Sequence, residues 1–148
     1  MKKDQKWISN DYVEVLQQLL NIATPSKQFN GHAPCPWLAI GLSTGKVSIE
    51  RGTGESIEDV KKIIEQTNYK LWATCYWYQP DMTAKELDLT CKIMSNNNIT
   101  CLYMHLDDAK DTMGQKLCGK YPMLIVQSKS ILDSARNNLP PDYPYKFD

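Results

Sequence analysis

Leu71-Trp72-Ala73-Thr74-Cys75-Tyr76-Trp77-Tyr78, followed at once by Gln79-Pro80-Asp81, is the most informative run in this chain of 148 residues. Trp72, Tyr76 and Tyr78 fall on one side of the two-residue alternation, and Leu71, Ala73, Cys75 and Trp77 on the other. A strand apolar on both faces is a central strand with layers above and below it. Pro80 ends it, and the acidic turn through Asp81 leads to Thr83 and Glu86, a capping pair for a helix with the stripe Ala84, Leu87, Cys91 and Met94.

Working outward, Asn96-Asn97-Asn98 closes that helix, and Ile99 to Leu106 reads as another short strand. Asp107 to Lys120 is polar, and Pro122-Met123-Leu124-Ile125-Val126 is a compact apolar strand. Ser130 and Asp133 start a last helix through Ile131, Leu132 and Ala135, which Pro140-Pro141 stops. Upstream, Ser56-Ile57-Glu58-Asp59 carries a helix-start signature, and Val60, Ile63 and Ile64 extend the apolar face of Ile57. Leu38 to Leu42 and Lys46 to Glu50 flank Ser43-Thr44-Gly45 and read as a β-hairpin. Asn10 to Ala23 is a helix, with Tyr12, Leu16, Leu19, Leu20 and Ala23 as its expected buried stripe and Thr24-Pro25 as its end. Ser26 to Trp37 is a loop rich in proline, glycine and polar residues.

The order strand, helix, strand, helix, strand, loop, proline-led strand, helix needs helical crossovers between parallel strands and ends on an antiparallel member. Over Lys46 to Asn138 this layout resembles the thioredoxin fold. The fold expected is therefore an α/β, thioredoxin-like three-layer sandwich with an extra N-terminal helix. It is one domain over residues 1–148, with the helix and Cys-Pro loop at 1–36, the core at 37–139 and an extended tail at 140–148. A ferredoxin-like α+β sheet is the rival. The resemblance implies a cis peptide bond at Tyr121-Pro122, facing the Tyr78-Gln79-Pro80-Asp81 turn. That turn has no cysteine pair, so dithiol exchange there is unsupported. Pro34-Cys35-Pro36-Trp37-Leu38-Ala39 and Gly119-Lys120-Tyr121-Pro122-Met123-Leu124 are also similar to two segments of an uncharacterised bacterial family of small cytosolic proteins. That family has a His-Pro pair where this chain has Gln79-Pro80, and the resemblance implies positions of interest, Cys35 and Tyr121-Pro122, without a reaction.

Composition narrows the classes of function. Seventeen basic residues balance seventeen acidic ones, and no stretch gathers Lys or Arg, which argues against a nucleic-acid partner. No segment approaches the ~20 apolar residues of a membrane helix, so no membrane partner is expected. The N-terminus lacks the apolar run of a signal peptide. Five cysteines, an odd number without Cys-x-x-Cys spacing, fit reduced thiols in the cytoplasm.

Two readings of function follow. In the first, Tyr78, Gln79, Pro80, Asp81, Tyr121 and Pro122 hold an extended peptide or another protein, in a non-catalytic binding or adaptor module without a cofactor. In the second, Cys35 acts as a single catalytic thiol, with His32 as its base and Cys118 as a resolving partner. Against the second stands a rigid Pro-Cys-Pro-Trp plug with Cys35 packed under the loop. No metal is expected, although His32, Cys35, His105 and Cys118 are ligand types that would serve zinc if they converged. His105 with Asp107, Asp108 and Asp111 follows a strand end, where acid or base work is set against a solvated acidic loop beside a partly buried histidine.

Overall fold

The computed structural model describes residues 10–25, 27, 30–33, 35–66, 70–107 and 119–143. Five helices and four strands are present among them: α1 (Asn10–Ala23), α2 (Leu38–Ser43), β1 (Val47–Arg51), α3 (Ser56–Ile64), β2 (Ala73–Trp77), α4 (Ala84–Met94), β3 (Ile99–Met104), β4 (Met123–Ser128) and α5 (Lys129–Asn137). The strands make one sheet in the order β1-β2-β4-β3. β1 pairs parallel with β2, Val47 opposite Ala73 and Arg51 opposite Trp77. β4 runs antiparallel to both its neighbours, with Met123 opposite Trp77 on one side and Met104 on the other. β1, β2 and β3 therefore point the same way, and β4 lies between β2 and β3.

Every residue of β2 is buried, as its doubly apolar composition requires. Tyr76 joins Val60, Ile63, Leu87, Cys101, Leu124 and Val126 in a core under α3 and α4. Cys75 and Trp77 join Val15, Leu19, Leu38, Tyr121 and Met123 in a second core under α1 and α2. Helices thus cover both faces of an α/β sheet.

Three local expectations are corrected. Leu38–Ser43 is a helix and not the first arm of a hairpin. The Ser-Thr-Gly sequence is its C-cap: Lys46 N donates to Gly41 O at 2.8 Å, Gly45 N donates to Leu42 O at 3.4 Å, and Gly45 holds φ at +70°. Those two bonds are the Schellman arrangement, in which a left-handed glycine lets the last carbonyls find donors. In α1 the buried stripe is Val15, Gln18, Leu19 and Ile22, leaving Leu20 43 % exposed. The helix has turned one residue away from the expected face because Gln18 is held by the backbone of Tyr121. Finally, no peptide bond between described residues is cis, Tyr121-Pro122 included. The carbonyl of Pro122 instead accepts from Tyr78 N at 2.9 Å, the bond that extends the β2–β4 pairing past Trp77.

Candidate functional site

The carboxyl ends of parallel strands are where α/β folds bind ligands, because the loops there diverge into helix N-termini. In this chain β1 and β2 end side by side at Arg51 and Trp77, and a cleft of ≈ 290 Å³ opens between the loops that follow them. Arg51, Thr53, Tyr78, Gln79, Asp81 and Glu86 supply its polar wall, Gly52 and Gly54 its backbone side and Met82 its apolar contribution.

A buried carboxylate holds the two loops together. Asp59, on the first turn of α3, is 1 % exposed. Its two oxygens accept from Thr53 N at 3.1 and 3.3 Å, and Oδ2 also accepts from Tyr78 Oη at 2.8 Å. Tyr76 Oη donates to the Asp59 carbonyl at 3.2 Å. A buried charge is tolerated only when hydrogen-bonded in this way. Burial, followed by the bond to Asp59, pushes the Tyr78 hydroxyl far above the usual tyrosine range, so it stays a donor. The ring of Tyr78 lies where a side chain on residue 52 would be: a Cβ built on Gly52 would sit 2.0 Å from Tyr78 Cε1. Gly52 N donates to Trp77 O at 2.8 Å, which fixes the first loop in register.

The second loop is pinned from the far side. His105 is 6 % exposed, and its Nε2 donates to Met82 O at 2.7 Å while Nδ1 accepts from Asp107 N at 3.0 Å. Both assignments follow from the partners, since a carbonyl only accepts and a backbone amide only donates, so the ring is the neutral Nε2–H tautomer. With both nitrogens spent on backbone, His105 positions the turn and has no free nitrogen for acid or base work. Asp108 and Asp111 lie outside the described residues.

Of the turn, Tyr78 is buried, Gln79 half-buried, and Pro80 and Asp81 exposed at the rim. Arg51 also lines the cleft, its guanidinium 5.5 Å from the Trp77 ring centroid. Tyr121 and Pro122, expected to share the binding surface, are interior. Tyr121 is 1 % exposed, its ring edge-on to Trp77 at 5.4 Å between centroids. Its hydroxyl donates to Asp11, and Gln18 both donates to its carbonyl at 3.0 Å and accepts from its N–H at 2.9 Å. The bond to Asp11, with burial second, raises the Tyr121 hydroxyl well above its ordinary value. Among the expected binding residues, the structure brings Tyr78, Gln79 and Asp81 to one cleft and leaves Tyr121 inside the other core.

Cys35 packs half-buried against the α1/α2 core. Burial pushes its thiol up to about 12, with the neighbouring Cys75 adding to the rise and the backbone N–H groups of Leu38 and Trp37 opposing it. A thiol so placed is protonated at neutral pH and is a poor nucleophile. His32, the expected base, pairs instead with Asp142 Oδ1 at 2.9 Å and lies against Tyr143, whose hydroxyl donates to Ala33 O at 3.2 Å. Cys118 lies outside the described residues. No group of three or more His, Cys, Asp or Glu side chains among the described residues could hold a metal ion.

Sequence reasoning missed Asp59 and Arg51. The signal for Asp59 was present: it lies four positions before Ile63 on the face of α3 that meets β2, where an acid needs buried donors, and Tyr76 and Tyr78 are two tyrosines on one strand face. The chain matches no protein-family model, no curated protein and no solved structure. No helix among the described residues is long and apolar enough to cross a membrane.

Proposed function

We propose that the protein is a non-catalytic binding module of thioredoxin-like type, working in the cytoplasm without dithiol chemistry, and that the cleft between residues 51–54 and 78–86 holds an extended segment of a protein partner. The observation that carries this reading is the makeup of the cleft. Arg51, Asp81 and Glu86 are the charged residues that line it, beside the polar Thr53, Tyr78 and Gln79, with no thiol in the wall among the described residues. Such a wall suits a peptide with charged side chains, and the buried Asp59 network holds it in one shape, which lowers the ordering cost of binding. The thioredoxin-like assignment is supported by the turn that follows the central strand and meets the backbone of a strand-leading proline, through Tyr78 N and Pro122 O. The thiol-enzyme alternative through Cys35 and His32 has the weaker support, since the thiol is held protonated and the imidazole is engaged with Asp142.

The test is panning of a random displayed peptide library on the folded protein, with Asp81→Lys/Glu86→Lys as the counter-selection. Enriched peptides are expected to move amide resonances of residues 51–54 and 78–86, to be lost with the double variant, and to bind Cys35→Ser unchanged. Peptides that map elsewhere, or that survive the charge reversal, overturn the assignment.

A further inference from the structure

The opposite end of the sheet carries a second recess, larger than the first, at ≈ 320 Å³. It lies where β3 begins and β4 ends, between the C-terminus of α3, the Asn96-Asn97-Asn98 turn and the start of α5. A volume near 300 Å³ is at the small end of the range for ligand sites.

Its lining is unusual for this chain. Charged residues make up 23 % of the sequence, yet none is among the described residues that line the recess. Six neutral hydrogen-bonding side chains do so: Gln66, Asn96, Asn97, Asn98, Ser128 and Ser130. The apolar part is aliphatic, from Ile63, Ile64 and Ile99, and Ile64 is 39 % exposed at the end of its helix. A charged ligand would find no counter-charge among those residues. A flat aromatic ligand would find no aromatic ring to stack on among those residues.

The polar groups are held in place by backbone. Asn96 Oδ1 accepts from Asn98 N at 2.7 Å and from Ile99 N at 2.9 Å, which fills both its lone pairs and leaves Nδ2 as the free end of that amide. Asn96 N donates to Ile99 O and Lys129 N to Asn98 O, both at 2.9 Å, so the turn is tied to β3 and to α5. Ser128 stands at the N-cap of α5 without capping it. Its hydroxyl pairs with that of Ser130 at 3.3 Å, which leaves one donor and several acceptor positions between them.

We infer that this recess is a binding site for a neutral, polyhydroxylated ligand of the size of a simple sugar, its hydroxyls paired with the Asn, Gln and Ser side chains and its C–H face on Ile64. Sugar hydroxyls each donate and accept, as do carboxamides and serine hydroxyls, and a pyranose ring offers an aliphatic face for the exposed Ile64. The site is separate from the cleft at the carboxyl ends of β1 and β2, so either stands if the other fails.

The experiment is an amide-resonance titration of the isotope-labelled protein with methyl glycosides of glucose, galactose, mannose and N-acetylglucosamine, with inorganic phosphate as the charged comparison. At least one glycoside is expected to give saturable shifts confined to residues 63–66, 96–99 and 128–130. Asn97→Ala and Ser130→Ala, both at exposed positions, are each expected to weaken that binding about tenfold while the rest of the spectrum stays in place. The inference is overturned if no glycoside saturates up to high millimolar concentration, if the shifts fall elsewhere, if phosphate produces them in place of the glycosides, or if both variants bind as the parent does.

Discussion

Gly52→Ala is the sharpest perturbation of the cleft, because the three atoms nearest the added methyl group all belong to one ring. Its Cβ would lie 2.0, 2.5 and 2.6 Å from Tyr78 Cε1, Cζ and Cδ1. Ordinary carbon contacts begin at ~3.5 Å, so the ring must withdraw by about 1.5 Å. That movement separates Tyr78 Oη from Asp59 Oδ2, now 2.8 Å apart, and leaves a buried carboxylate short of one donor. Overpacking costs about 1–3 kcal/mol and loss of a hydrogen bond to a charged group about 1.5–3 kcal/mol, giving an expected destabilisation of about 2.5–6 kcal/mol. Gly52 does not have a left-handed φ, so alanine is conformationally acceptable there and the whole cost arises from the ring. The assay is urea unfolding followed by tryptophan fluorescence. In a Tyr78→Phe background the steric part should remain. In a Tyr78→Ala background the cost should vanish and even change sign, since Gly→Ala at a compatible φ stabilises by about 0.4–1 kcal/mol. Gly45→Ala is the control with the opposite cause: nothing lies within 4 Å of its Cβ but φ is +70°, so it should cost about 1–2 kcal/mol whatever occupies position 78. A Gly52→Ala cost under about 0.5 kcal/mol, or one unchanged when Tyr78 is removed, would refute the reasoning.

Gln18→Ala removes the amide that satisfies both backbone groups of buried Tyr121; about 2–4 kcal/mol should be lost, with faster hydrogen exchange at the Tyr121 amide, and unchanged exchange there would contradict the clamp. Thr83→Ala removes the acceptor of Glu86 N at 3.1 Å and should lower stability by about 1 kcal/mol, a fall of ~2–4 °C in Tm, with Thr83→Ser restoring most of it. Burial raises Cys35, Cys75 and Cys91 from 9.0 to about 12 and Cys101 to about 11. Above pH ~9 the unfolded chain therefore releases thiol protons that the native state retains, so stability is full below that pH and declines as pH rises toward 12. Urea midpoints taken across that range should fall steadily, and a flat profile up to pH ~11 would mean that these thiols are not buried as described.

What could be read from the chain and what could not differ in physical kind. β2 was legible because a run of eight residues, apolar but for Thr74 and ended by Gln79-Pro80, has no other stable place than the middle of a sheet. Thr83 was legible because its cap bond is local. Leu38-Ala39-Ile40-Gly41-Leu42 was misread because a short apolar run satisfies either period, and the turn signal at Gly45 serves a helix C-cap as well as a hairpin. The face of α1 was misassigned for a non-local reason: Gln18 is polar, and only the backbone of Tyr121, 103 positions away in sequence, makes its burial favourable. Asp59 belongs with Gln18. Its value lies in donors from Thr53 and Tyr78, so a pattern that reads as a helix start is in the fold the tie between two loops.

The same distinction bears on where function resides. Cys35 and Tyr121 drew notice because each sits beside prolines, and in the fold both are spent on packing, one under α1 and α2 and the other between Gln18, Asp11 and Trp77. The rim of the cleft behaves differently. Asp81, on the turn, and Glu86, on the first turn of α4, are exposed beside loops fixed by Asp59, His105 and the Pro122 carbonyl. Rigid support beneath exposed charged side chains is the arrangement that a binding surface needs and that stability alone does not require. Charge reversal at Asp81 should therefore alter partner binding with stability changed by less than about 0.5 kcal/mol, and at Glu86, where a cation opposes the dipole of α4, with about 0.3–1 kcal/mol lost, whereas Asp59→Ala should lower stability and disturb the cleft together.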